Sequence, residues 1–253
     1  MQTQASPLAQ TSPFAPPPAS GEAKLAIDDA IALKMGQLLC SRLCHDLIGP
    51  AAAINAGGEL MGEDGEDEAG DVRDLIVESG RQLAGRLTFF RAVFGQVGNR
   101  WAGLTCRQAR ELAEGYLLGG RVRFDWQANA NGSSGEAVLP GDTVRLLLCL
   151  IMLAADALPR GGSVSLRITE RAEETELSLM VCARSVQLAD DIMAALHATE
   201  ASAVTPRTIH AFYLSCLANR LETEIVLDCA SDEALEIRTR VRGRRGAEKP
   251  LAA

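Results

Sequence analysis

The sequence predicts an α+β protein in which an N-terminal antiparallel helical hairpin forms a dimeric four-helix bundle and is followed by a two-layer α/β sandwich. Three observations predict it. Apolar residues recur every seven positions at Leu33, Cys40, Leu47, Ile54 and Met61, with Gly36, Leu43, Pro50 and Gly57 as a second row beside them; this is the pattern of a helix-bundle seam. A glycine-punctuated acidic stretch over 62–70 leads into a second stripe of Val72, Ile76, Leu83, Leu87, Phe90 and Phe94. Beyond residue 103 the period changes, and short alternating segments interleave with apolar helical ones.

Residues 1–23 are rich in Pro, Ala, Ser and Gln, include Pro16-Pro17-Pro18 and lack apolar periodicity, so this segment is expected to be disordered. The first helix is expected from about residue 25 to 61. Pro50 removes one backbone donor and crowds the preceding turn, which predicts a kink. Asp71, with Asp74 three residues on, is the expected N-cap of the second helix. Two antiparallel helices cannot bury stripes this extensive alone. A second copy would close a four-helix bundle, which predicts a homodimer built on a unit spanning 24–96.

The second unit is expected over 103–241. A helix over 106–118 precedes a strand over 121–127 and a turn-rich connection over 129–135. A very apolar helix over 144–158 is closed by Pro159-Arg160-Gly161-Gly162. Segments 163–169 and 176–183 alternate as a hairpin, followed by a helix over 206–221 and strands over 224–229 and 235–241. Residues 242–253 form a basic tail, expected to be mobile.

Composition narrows the function classes. The length of 253 residues suits one or two domains. A net charge of −8 argues against nucleic acid as the main partner. No segment approaches the roughly 20 apolar residues that span a bilayer, and no secretory signal is visible. The seven cysteines are scattered without a C-x-x-C pair, and Cys149 and Cys182 sit in apolar runs as reduced thiols do. A reducing cytoplasm without membrane attachment is therefore expected. Cys40, Cys44 and His45 do not suggest a metal site: Cys40 lies near the core stripe, His45 points away from it, and no fourth ligand presents itself.

The stretch Arg42-Leu43-Cys44-His45-Asp46-Leu47-Ile48-Gly49, followed by Pro50, is where chemistry is expected. At about 100° per residue, His45 falls almost opposite the stripe made by Leu43 and Leu47. Leu38, Ser41, Arg42, Ile48, Gly49 and Ala52 project on or near the same outer face. That face is small and apolar rather than Lys/Glu-rich, as expected of a docking surface. Arg42, one turn before His45, is placed to reach an anionic group bound there. A neutral imidazole is a good nucleophile, and phosphoryl transfer to it is one natural chemistry.

On these residues the chain resembles a known family. His-Asp-Leu-Ile-Gly-Pro is similar to the H-box of two-component histidine kinases. The longer Arg-Leu-Cys-His-Asp stretch, with Ala-Ile-Asn and Glu-Leu-Met downstream, resembles more narrowly the ChpT-type histidine phosphotransferases of alphaproteobacteria. The resemblance covers about residues 24–241. It implies that His45 accepts a phosphoryl group in a multistep phosphorelay and that Asp46 orients the imidazole toward its nucleophilic tautomer. It also implies a homodimer served by the receiver domain of a hybrid kinase (CckA-like), with response regulators (CtrA-like, CpdR-like) as acceptors. The Mg²⁺ for the reaction is expected on the partner receiver. Gly49 stands where many bifunctional kinases carry Thr or Asn, so the resemblance argues against phosphatase activity.

The second unit resembles the ATP-binding domain of histidine kinases with its nucleotide chemistry removed. The two asparagines that hold Mg²⁺ and phosphates in those kinases correspond to Cys149 and Leu153, neither of which suits a hard cation. The Asp-x-Gly-x-Gly segment is replaced by Val181-Cys182-Ala183-Arg184-Ser185-Val186. The glycine-rich lid is replaced by Ala201-Ser202-Ala203-Val204-Thr205-Pro206. No nucleotide, metal or other cofactor is therefore expected on this chain. Asp142, Asp156 and Glu136 read as caps or surface charges, and His197 and His210 as structural or surface residues, with a partner contact the alternative for His210. The rival functions are an ATP-dependent histidine kinase with an unusual pocket and a non-catalytic receiver-binding scaffold.

Overall fold

The computed structural model describes residues 20–61, 69–95, 103–127, 137–171, 173–200 and 203–242. The expectations for residues 1–19, for most of the acidic connection and the linker, for 129–135, for Glu136 and for the tail after 242 lie outside them. Two long helices open the described chain, α1 (Ser20–Leu60) and α2 (Ala69–Phe94). Helix α1 thus starts inside the segment expected to be disordered and runs through Pro50, which is buried. Helix α2 starts two residues before Asp71, which sits in its first turn, favourably for the helix dipole, rather than at the cap.

The two helices pack closely at Gly57, where a Cβ would come within 2.6 Å of Ile76 Cγ1. The seven-residue seam is only partly buried: Leu47 and Ile54 are half-buried, while Leu33 (66% exposed), Cys40 and Met61 (52%) face solvent.

The remainder builds on β1 (Gly103–Thr105), α3 (Cys106–Leu117), β2 (Val122–Gln127), β3 (Val138–Pro140), α4 (Gly141–Asp156), β4 (Gly162–Glu170), β5 (Glu174–Cys182), α5 (Asp190–Leu196), α6 (Ile209–Arg220), β6 (Val226–Ser231) and β7 (Ala234–Arg242). Strands β1 and β3 form a small antiparallel pair, and the others a five-stranded sheet in the order β2-β4-β5-β7-β6. The sheet is mixed, because β2 and β4 run parallel while every other pairing is antiparallel.

Side-chain alternation sets the register. Val164, Leu166 and Ile168 lie opposite Val181, Leu179 and Leu177, and Leu179 and Val181 lie opposite Ile237 and Leu235; all are buried. The other face is polar, with Ser178 donating to Glu236 and Arg240 to Glu176. Helix α3 is started by a capping box, in which Thr105 Oγ1 accepts from the Gln108 amide while the Gln108 side chain accepts from the Thr105 amide.

Helix α4 lies between the sheet and helices α2, α3 and α6, so residues 146–154 have no exposed surface and the helix is apolar all round. The turn after it needs Gly161, whose φ of +90° disfavours any side chain and whose Cβ would meet the Arg121 carbonyl at 2.7 Å. The end of α2 locks the hairpin to this layer. Phe89 stacks on Tyr116 with ring centroids 4.2 Å apart, and Phe94 meets Tyr213 edge-on at 5.2 Å. Gly85 and Gly115 let α2 and α3 cross at backbone contact, since a Cβ on Gly85 would collide with the Gly115 carbonyl.

Candidate active site

Two rows and the outer face of α1 decide the site. At 3.6 residues per turn, residues 38, 42, 46 and 50 form one row, Leu43 and Leu47 the row beside it, and Ser41, His45, Ile48 and Ala52 the outer face. Leu43 and Leu47 pack on the main core, and Leu38 packs on Val204, Ile209 and Phe212. The outer face is left bare: the His45 side chain is 83% exposed, Ile48 is 67% exposed, and Ser41, Gly49 and Ala52 are exposed.

Two members of the expected docking face are therefore placed differently. Leu38 is half-buried under α6 and the segment before it. The Arg42 side chain is only 11% exposed. Its Nε donates to Asp46 Oδ2 at 2.8 Å, its Nη1 donates to the Arg207 carbonyl at 2.7 Å, and its Nη2 lies 3.7 Å from Asp156 Oδ1. Burial works against the guanidinium's charge, yet Asp46 and Asp156 outweigh it and hold its pKa above the ordinary arginine value. Arg42 is thus held by three groups of the protein while it also lines the cavity beside His45. The physical reason is tertiary: the row 38/42/46/50 borders the outer face, and the end of α4, the segment before α6 and α6 itself pack against it.

Asp46 is the pivot. Its side chain is 16% exposed; Oδ2 takes the Arg42 bond, and Oδ1 lies 3.1 Å from His45 Nδ1. A carboxylate only accepts, so this contact is a hydrogen bond in the tautomer of His45 that carries its proton on Nδ1 and its lone pair on Nε2. Arg86 of α2 fixes the backbone at this point, its Nη1 donating to the Asp46 carbonyl at 2.5 Å. The imidazole stands at the mouth of a cavity of about 510 Å³ whose walls include Ser41, Asp46, Asp156, Pro206 and Arg207. The site therefore lies in the angle between the hairpin and the α/β layer.

Two residues read as caps or surface groups belong to this cluster. Asp156 Oδ2 lies 2.6 Å from Nε2 of His210, whose side chain has no exposed surface. The distance is that of an ion pair, but the angle does not make a hydrogen bond, and both His210 nitrogens lack hydrogen-bond partners among the described residues. Full burial excludes His210 from contact with a partner. One signal was available in the sequence: Asp156 is a lone carboxylate closing the run Leu146-Leu147-Leu148-Cys149-Leu150-Ile151-Met152-Leu153-Ala154-Ala155, and such a charge needs a partner. Asp142 does behave as a surface charge, 3.4 Å from Arg145 and 3.9 Å from Arg220.

Cys149 and Leu153, at the positions aligned with the kinase asparagines, are both fully buried in α4. Burial pushes the Cys149 thiol far up, so it stays neutral. Cys182 is half-buried, and Cys40 and Cys44 are exposed free thiols. No described helix is long and apolar enough to cross a membrane.

Residues 106–233 match the model of the histidine phosphotransferase C-terminal domain. The protein phosphotransferase ChpT of Brucella abortus (strain 2308) is 30% identical over 204 residues, which cover 80% of this chain and 93% of that protein. A solved bacterial phosphotransferase superposes with a TM-score of 0.70 at 29% identity, covering 82% of this chain and 96% of its own. With the family model matched over half of the chain and a 30% identical relative matched over 93% of its length, this chain belongs to the ChpT-type histidine phosphotransferases.

Proposed function

We propose that His45 is the phospho-accepting residue of a multistep phosphorelay, receiving its phosphoryl group from a receiver aspartyl phosphate and passing it to a second receiver. The observation that carries this reading is the pairing of an exposed imidazole with a half-buried carboxylate that Arg42 holds in place. Nδ1–H faces Asp46, so Nε2 presents its lone pair outward on a bare helix face. Nε2 attacks phosphorus in line as the bond between phosphorus and the aspartyl oxygen breaks, and the donor carboxylate leaves. Asp46 stabilises the positive charge that develops on the imidazole. Such a transfer needs mostly positioning and charge stabilisation. The Mg²⁺ held by the receiver supplies the neutralisation of the phosphoryl oxygens.

Ile48, Gly49 and Ala52 with Ser41 form the docking surface, and the small residues allow a receiver's backbone to come close. The donor is a CckA-like hybrid kinase receiver, and the acceptors are CtrA-like and CpdR-like regulators. A second copy of the chain covers the exposed seam residues Leu33 and Met61 and also Leu87, which is 49% exposed. ATP is not a substrate, a reading supported by the burial of Cys149 and Leu153 in the core.

The test is uptake of acid-labile phosphate by the purified chain, from ATP alone and from a phosphorylated receiver. Label is expected from the receiver only and is lost in His45→Ala, with the oligomeric state unchanged. Label from ATP alone would instead establish a kinase. Tight receiver binding without label would establish a scaffold.

A further inference from the structure

We propose that Asp156 and His210 are positioning residues for the reaction at His45, acting through Arg42 and Asp46; the proposal rests on the phosphotransfer role assigned above to His45. Five side chains from three helices form an unbroken alternation of base and acid. His45 Nδ1 lies 3.1 Å from Asp46 Oδ1, and Arg42 Nε donates to Asp46 Oδ2 at 2.8 Å. Arg42 Nη2 lies 3.7 Å from Asp156 Oδ1, and Asp156 Oδ2 lies 2.6 Å from His210 Nε2. Exposure falls along it from 83% at His45 through 16% at Asp46 and 11% at Arg42, rises only to 21% at Asp156, and reaches none at His210.

The inner half of this chain needs an explanation that stability does not supply. Burying an imidazole and a carboxylate costs solvation that their mutual attraction repays only with good geometry, and apolar residues of similar bulk serve as well. Here the geometry is imperfect, since Asp156 Oδ2 and both His210 ring nitrogens lack a hydrogen-bond partner among the described residues, and the 2.6 Å contact holds as a charge pair alone. What the pair does accomplish is to fix Arg42 from behind. The guanidinium fork is held at one end by Asp156 and by the Arg207 carbonyl, which orients Nε onto Asp46 Oδ2. With Oδ2 occupied, the carboxylate cannot rotate away from His45, and Oδ1 stays on Nδ1 although the imidazole itself is exposed to competing water. The tautomer that leaves Nε2 unprotonated is therefore set from the α/β layer, by the last residue of α4 and the second residue of α6. A layer expected to have lost its nucleotide chemistry thereby acquires a part in the reaction of a histidine on another helix.

The experiment combines two readouts on the full chain: ¹⁵N shifts of the His45 ring nitrogens, and single-turnover phosphoryl uptake from a saturating phosphorylated receiver. Both are taken on the wild type, Asp46→Asn, Asp156→Asn and the double variant. Asp156→Asn is expected to lower the saturated rate about tenfold and to shift the ring toward the Nε2–H tautomer, with receiver affinity unchanged. In the Asp46→Asn background the same change is expected to cost nothing further. An equal loss in both backgrounds, or a loss confined to receiver affinity, would mean a structural role and overturn the proposal.

Should Asp156→Asn fail to fold, Arg42→Lys replaces it, because lysine keeps the charge but cannot hold Asp46, Asp156 and the Arg207 carbonyl together. A folded Arg42→Lys chain with the wild-type tautomer overturns the proposal as well. The tautomer readout needs no phosphate, so a wild-type chain that never labels His45 defeats the phosphotransfer reading separately.

Discussion

Helices α1 and α4 meet opposite fates. In α4, residues 146–154 lose all contact with solvent, whereas α1 leaves Ile31, Leu33 and Ile48 between 43% and 67% exposed. Both helices are built of Leu, Ile, Ala, Cys and Met, so residue type alone does not separate them. Their surroundings do. Helix α4 is enclosed by a sheet on one side and by three helices on the others, while α1 touches the rest of the chain along two rows and has nothing over its outer face among the described residues. An apolar helix with a complete surround is a core. One with an incomplete surround and an imidazole held by a carboxylate on its exposed side is the surface proposed above to dock a receiver.

The comparison breaks first where packing is densest. Leu150→Ala in α4 is expected to cost about 2–5 kcal/mol by transfer and cavity terms, read as a lower Tm; a loss below 1 kcal/mol would show that α4 is not the rigid centre of the layer. Next, Cys149→Asn places an amide at a fully buried position and is expected to cost about 1–3 kcal/mol. It should create no ATP binding by calorimetry, because the pocket an asparagine would serve is filled by core. Gain of nucleotide affinity would show that the kinase site is latent in this fold.

The smallest effect on stability, and the sharpest on function, is expected on the other helix. Ile48→Glu should leave the unfolding free energy within about 0.5 kcal/mol of wild type, yet weaken receiver binding about tenfold, near 1.4 kcal/mol. Unchanged affinity would remove Ile48 from the docking surface.

Much of this contrast was legible in the sequence. The helix read over 106–118 matches α3, and the Thr105–Gln108 capping box seen in the structure gives the local reason for its start. The strands β4, β5 and β7 followed from period-2 alternation that one buried face imposes. Strands β1 and β3, with three residues each, and α5, with seven, are too short to show a period, and they were not expected.

At the site, His45 and Asp46 were readable because their relation is local. Leu38 and Arg42 were expected on the outer face but are largely covered, because a helix has no absolute outside. Only the packing of α4, α6 and the segment before α6 decides how much of the row beside His45 is covered. The link from Asp156 to His210 joins residues on two different helices, and nothing in the local sequence of either names the other. Tertiary contacts of that kind are where sequence reading ends.

The central claim is that Asp46, held by Arg42, leaves Nε2 of His45 as the nucleophile. The most direct test is to phosphorylate the chain from a receiver under neutral conditions and locate the phosphoramidate by ¹⁵N–³¹P coupling in ring-labelled protein. Phosphate on Nε2 of His45 is the predicted result. Phosphate on Nδ1, or on another residue, would contradict it, because Nδ1 is the nitrogen that Asp46 occupies.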